Sequence, residues 1–150
     1  MSRRGYHLID TLSAAFRDNN MKLTPQRIAI YEMLMSTKSH PSAETIYDSI
    51  KDRYPTMSLA TVYKTLKALV QLNLAQEINV GEGNFRYDAN AEPHPHIVCI
   101  NCGRVDDIDN LDLSFINESA ENFTDYDILK SKVYFYGICS DCKQNIKPTI

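Results

Sequence analysis

The order of periodic segments in this chain predicts an α+β protein, a winged helix-turn-helix domain followed by a second, small α+β domain. Three observations carry that expectation. Residues 1–73 show apolar residues at helical spacing, and two short alternating segments joined by Gly81-Glu82-Gly83 follow them. Beyond a proline-containing stretch lie two Cys-x-x-Cys pairs, Cys99/Cys102 and Cys139/Cys142, the only cysteines present. The expected boundaries are residues 1–88 for the winged helix, 89–96 for a hinge and 97–150 for the second domain.

Each element has a local cause. Leu8, Ile9, Leu12, Ala15 and Phe16 give His7 to Asn19 an amphipathic helical pattern. Thr24 caps the next helix with Pro25 at its first position; its stripe is Ile28, Tyr31 and Met35, and it is expected to end near Ser39-His40-Pro41. Ser42 caps a third helix running through Ile46, Tyr47, Ile50 and Lys51. Ser58 caps a fourth, Leu59 to about Leu72, with Leu59, Val62, Leu66, Leu69 and Val70 facing the core and Thr61, Lys64, Lys67 and Ala68 on the other side. Strands over 74–80 and 84–88 complete a wing, an order that places the fourth helix in a DNA major groove. In the second half the pattern gives short strands over 97–100 and 104–108, a helix over 113–123 and a longer strand over 128–136. So small a domain needs a metal staple, oligomerisation or both to support it.

Charge separates the two halves. The net charge of −3 speaks against nucleic acid. Yet residues 1–73 hold ten Lys and Arg against six Asp and Glu, net +4, while residues 74–150 hold six against thirteen, net −7. The first half is therefore suited to a polyanion. No apolar run is long enough to span a bilayer and the N-terminal residues lack a secretory signal, so a cytoplasmic location without membrane association is expected.

In that reducing setting the paired cysteines hold metal in preference to forming disulfides. Four thiolates select zinc and leave no open position for chemistry, which makes Cys99, Cys102, Cys139 and Cys142 a structural Zn²⁺ site. His94-Pro95-His96 stands just ahead of the first pair, with both imidazoles on one side of an extended segment. Asp88, Asp106-Asp107 and His40 supply further donors, and imidazole with carboxylate suits Fe²⁺ or Mn²⁺. A His-x-His in a loop is also an ordinary solvated feature, and spacing alone leaves both readings open.

The segments Leu23-Thr-Pro-Gln-Arg27, His40-Pro-Ser-Ala-Glu-Thr-Ile-Tyr47 and Ser58-Leu-Ala-Thr-Val-Tyr-Lys-Thr-Leu66 occur here in order. Phe85-Arg-Tyr-Asp88, His94-Pro-His96 with Cys99-Ile-Asn-Cys102-Gly103, and Tyr136-Gly-Ile-Cys-Ser-Asp-Cys142 follow. Over almost its full length the chain resembles the ferric uptake regulator (Fur) family of metal-dependent repressors. The resemblance implies a DNA-binding N-terminal domain, a zinc-bearing dimerisation domain and a regulatory metal at the hinge. It implies that His40, Asp88, His94, His96 and Asp107 hold that metal. Iron-responsive members usually carry glutamate where Asp107 stands, and the peroxide-sensing (PerR-type) members carry aspartate. A histidine that many members use for an additional metal falls at about Ser131, which puts that extra site in doubt.

A metal held by all five residues would select one interdomain angle, and in a homodimer that angle sets the spacing of the recognition helices against the ~34–36 Å repeat of DNA. The resemblance implies that Fe²⁺ reacting with hydrogen peroxide oxidises a ligand, His40 or His94, and so releases the DNA. For contacts to double-stranded DNA, at a pseudo-palindromic operator, the candidates are Thr61, Tyr63, Lys64 and Lys67, with Arg27 and Arg86 on phosphates. Iron-responsive and zinc-responsive repressors are the alternatives. A metal-dependent hydrolase using His94 and His96 is a remote one, since no pocket for a small organic substrate and no acid–base arrangement stands out.

Overall fold

A computed structural model describes residues 3–145, with no account of the side chains of residues 3–6. Packing divides the chain into two units, Met1–Ala91 and Glu92–Ile150, whose outermost residues lie outside the described range.

The first unit contains α1 (Arg3–Asp18), α2 (Pro25–Met35), α3 (Ala43–Ile50), α4 (Leu59–Gln71), β1 (Gln76–Gly81) and β2 (Asn84–Asp88). All three expected caps form: Thr24 Oγ1 accepts from the Arg27 amide at 3.3 Å, Ser42 Oγ from Thr45 at 3.2 Å and Ser58 Oγ from Thr61 at 3.2 Å. Each such cap contributes about 1 kcal/mol to its helix. Leu12, Phe16, Ile30, Leu34, Ile46, Val62, Leu66 and Leu69 are buried together, joining α1 to α4 in one core. Burying each of these side chains is worth roughly 1.5–3 kcal/mol. The wing is antiparallel, pairing Gln76 with Asp88 and Ile78 with Arg86, and an irregularity between Asn79 and Gly81 leads into the turn. Gly81 and Gly83 both take positive φ there, 110° and 74°, which explains the two glycines.

The sequence pattern misplaced some residues. Helix α2 stops at Met35 and never reaches Ser39, because Ser36 takes the C-cap and the Thr37 hydroxyl accepts the Ser39 amide at 3.0 Å, a local turn that competes with the helix. Its buried face is Ala29, Ile30, Tyr31 and Leu34, so Met35 is exposed. Ala68, expected on the outer side of α4, is buried, as is Thr65, whose hydroxyl bonds back to the Thr61 carbonyl at 2.8 Å.

The second unit holds β3 (His96–Cys99), β4 (Val105–Asp107), α5 (Ser114–Glu121), β5 (Tyr134–Gly137) and α6 (Ser140–Asn145). The strand order is β4-β3-β5, with β3 antiparallel to β4 and parallel to β5. The long strand expected over 128–136 shrinks to Tyr134–Gly137, since β3 offers only four residues to pair with. Helix α6 was not foreseen: its six residues are too few to show a helical period. Helix α5 buries nothing, and Phe123, Leu129, Phe115 and Tyr126 are exposed. Among the described residues no helix is long and apolar enough to cross a membrane.

Candidate metal centres and nucleic-acid face

The four cysteines meet at one point. Their sulfurs all lie within 4.8 Å of one another, and Cys102 Sγ to Cys139 Sγ is 3.7 Å. Tetrahedral zinc–sulfur bonds of about 2.3 Å would space sulfurs about 3.8 Å apart, so the donor set fits that ion. Parallel pairing of β3 with β5 sets Cys99 opposite Gly137, which brings the second pair beside the first. The turn between Cys99 and Cys102 closes with the Gly103 amide on the Cys99 carbonyl at 2.9 Å, and Gly103 has φ 77°. Backbone amides of Cys139, Cys102 and Asn101 aimed at its sulfur hold the Cys99 thiol down at about 6, as a metal-ligating thiolate requires. Cys142 goes the other way: a hydrogen bond with Asn101 pulls its thiol down, but Cys139, burial, Cys102 and Cys99 outweigh it and push it up to about 12.

A second donor cluster lies within the same unit. Antiparallel register places His96 directly across from Asp107. Asp107 Oδ1 sits 3.0 Å from His94 Nε2 and 3.3 Å from His96 Nε2, with the two rings 4.4 Å apart. His96 is buried and His94 half-buried. The Nδ1–H of His94 donates to the Glu92 carbonyl at 2.7 Å, which turns Nε2 toward Asp107 as the donor nitrogen of the cluster. Two imidazoles and one carboxylate are the donors of non-haem ferrous sites. Asp106, the neighbouring candidate, instead accepts from Arg104 at 2.8 Å and is exposed. Ser131 lines a hollow of about 490 Å³ beside His94 and Asn117, and no other histidine lines it among the described residues.

The first unit carries its own pair. His40 is 2% exposed, and its Nε2 lies 3.2 Å from Asp88 Oδ2. Asp88 Oδ1 accepts the Asn90 amide at 2.8 Å, which fixes the carboxylate's orientation. His40 has φ 52° and precedes Pro41, a left-handed backbone that costs of order 1–3 kcal/mol and persists only where its surroundings impose it.

The outer side of α4 carries the residues suited to DNA. Thr61, Lys64 and Lys67 line an open groove with Lys22, Arg27 and Gln71. Lys22 and Gln71 were missed; the +4 charge of residues 1–73 pointed to the region but not to single residues. Arg27 is held over the Phe16 ring at 5.5 Å and donates to the Lys22 carbonyl at 2.7 Å. Tyr63 is 42% exposed and its hydroxyl donates to Glu44 on α3. That bond is the leading cause of both the raised phenol of Tyr63 and the lowered carboxyl of Glu44. Arg86 lies outside the groove, with Nη1 donating to the His40 carbonyl at 3.3 Å.

A winged helix with a cationic groove, carried in one chain with a four-cysteine cluster and a His/His/Asp cluster, defines a metal-binding transcriptional regulator. The sequence profile of the Ferric uptake regulator family matches residues 18–136, and the chain belongs to that family of metal-dependent transcriptional repressors. It is 58% identical over 135 residues to the transcriptional regulator PerR of Clostridium acetobutylicum, covering 90% of this chain and 98% of that protein. The peroxide-responsive repressor PerR of Staphylococcus epidermidis is 33% identical over 138 residues, 92% of each chain. In fold, the chain is similar to the ferric uptake regulator Fur of Helicobacter pylori, with a TM-score of 0.78 at 23% identity over 95% of this chain and 96% of that one. Members of the family are transcriptional regulators rather than enzymes, and they bind DNA as dimers.

Proposed function

We propose that this chain is a cytoplasmic, homodimeric repressor that senses hydrogen peroxide through a regulatory Fe²⁺, without enzymatic turnover of a small substrate. The observation that carries the reading is the 2-His-1-carboxylate cluster of His94, His96 and Asp107, the donor set of reactive ferrous sites. Resemblance to the family adds His40 and Asp88, which lie 3.2 Å apart within the first unit, as further ligands. Likeness to relatives named as peroxide-responsive repressors supports it, as does aspartate at position 107. Fe²⁺ held by these residues would activate hydrogen peroxide, so that one oxygen atom is added to a ligand imidazole, His40 or His94, and the other leaves as water. The altered ring ligates poorly, and the DNA-competent arrangement is no longer favoured. Mn²⁺ in the same place gives a repressor that peroxide does not switch.

Zn²⁺ in the four-cysteine group is structural, and residues 97–150 are the dimerisation domain, with 89–96 as hinge and 1–88 as the DNA-binding domain. Thr61, Tyr63, Lys64, Lys67 and Arg27 contact a pseudo-palindromic operator. The test is to treat the Fe²⁺ and Mn²⁺ forms with peroxide, digest them and weigh the peptides. Addition of one oxygen to the His40 or His94 peptide is expected in the iron form alone. Unmodified histidines in the iron form would sink the peroxide reading, and DNA binding driven by Zn²⁺ at matched free concentration would favour a zinc-responsive repressor.

A further inference from the structure

Three consecutive residues of β2 converge on one corner of the chain. Arg86 Nη1 donates to the His40 carbonyl at 3.3 Å, the Tyr87 amide donates to the Pro41 carbonyl at 3.0 Å, and Asp88 Oδ2 meets His40 Nε2 at 3.2 Å. The corner is the segment after α2 in which His40 takes its left-handed conformation immediately before proline. Relaxation of that backbone would swing the imidazole away from Asp88, because a change in φ rotates everything beyond it. The three β2 contacts act on successive groups of the corner, namely its carbonyls and its side chain, and together they oppose that relaxation.

We infer that Arg86 is a positioning residue for the regulatory metal ligand His40, and that the wing strand β2 is the template on which this ligand is preformed. The inference rests on the proposed role of His40 and Asp88 as metal ligands. It replaces the phosphate contact expected of Arg86 from sequence. An arginine reaches the carbonyl from the strand while leaving Tyr87 to pair through its backbone, so at least one guanidinium donor is spent inside the unit. The wing that approaches DNA and the loop that holds the ligand are then one mechanical piece. Loss of His40 as a ligand is felt at β2 directly, in addition to any change of interdomain angle.

The experiment uses the full-length, zinc-loaded protein and Mn²⁺ as a redox-silent probe. Arg86→Ala is expected to weaken Mn²⁺ binding at least about tenfold, the scale of lost outer-shell support. Arg86→Lys, which keeps one cationic donor, is expected to retain most of the affinity. At saturating Mn²⁺ the salt dependence of DNA binding should equal that of the wild type, which a lost phosphate contact would not allow. Wild-type Mn²⁺ affinity in Arg86→Ala, or a salt slope reduced in magnitude by about 1.8 (two phosphate contacts per dimer) with Mn²⁺ affinity unchanged, overturns the positioning role alone. Wild-type Mn²⁺ affinity in His40→Ala and Asp88→Ala overturns the reading beneath it as well.

Discussion

Lys64→Ala tests whether the groove beside α4 is where DNA phosphates sit. Four cations line it, Lys22, Arg27, Lys64 and Lys67, which makes eight in a dimer bound to its operator. Each phosphate contact on duplex DNA contributes about −0.9 to the slope of log affinity against log salt, so the wild type should show a slope near −7. Affinity would then fall roughly 20,000-fold between about 50 and 200 mM salt. Lys64→Ala removes two contacts per dimer and should bring the slope to about −5.4. Its deficit against the wild type should shrink about 12-fold over the same interval, being largest at low salt. Fluorescence anisotropy with operator and scrambled duplexes at four salt concentrations measures this. Lys51→Ala is the control, because Lys51 Nζ is paired with Asp48 at 2.8 Å and lies outside the groove. A Lys64→Ala slope equal to that of the wild type would show that Lys64 only solvates its helix face, and the groove would lose its assignment.

Other outcomes follow from the same geometry. Glu44→Ala removes the acceptor that orients Tyr63 and deletes an anion beside α4, so affinity for scrambled DNA should rise while the operator-to-scrambled ratio falls about fivefold, the scale of one net hydrogen bond. Glu44→Gln should keep the ratio; an unchanged ratio in Glu44→Ala refutes the orienting role. In metal-free protein, thiolate absorbance should show a first step near pH 6 from Cys99, while Cys142 stays protonated to about 12. The lowered thiol contributes stability that is complete above its ordinary value of 9.0 and lost as pH falls through 6, and the raised one contributes below 9.0 and is lost as pH rises through 12. Urea denaturation of the metal-free protein should accordingly find greatest stability near pH 9, and a flat profile would count against both shifts. Cys142→Ser should lower the melting temperature of the zinc form by about 10 °C or more, read by near-ultraviolet dichroism of the tyrosines, since little else in the second unit is buried. A melt unchanged by that substitution would mean the thiolates do not staple the unit.

The helical half was largely legible because its signals are local. Thr24, Ser42 and Ser58 are cap residues whose meaning lies within three positions, and all three caps form as expected. The two Cys-x-x-Cys pairs were equally readable, since a doubled spacing of thiols is the pattern of a four-thiolate site, and the four sulfurs do meet at one point. Tertiary competition was not readable. The end of α2 turned on a hydroxyl bonded to a nearby amide, and β5 is short because its neighbour is short. The His/Asp donors were visible as residue types, and Asp107 was preferred to Asp106 only through the family resemblance; strand register, setting Asp107 across from His96, supplies the physical reason. Arg86 and Tyr63 show the limit most plainly: each carries a polar group whose partner is more than eighteen residues away, His40 and Glu44, and no period or motif encodes such a pairing.

The left-handed backbone at His40 also restricts what substitution can explore there. Among residues with a Cβ, asparagine, aspartate and histidine tolerate positive φ best, and β-branched or bulky residues tolerate it poorly. The corner therefore admits nitrogen and oxygen donors more readily than a thiolate. A lineage carrying this corner can trade imidazole for carboxylate or carboxamide by single substitutions, staying among borderline and hard cations. To reach a thiophilic metal through position 40 it would first have to rebuild the turn.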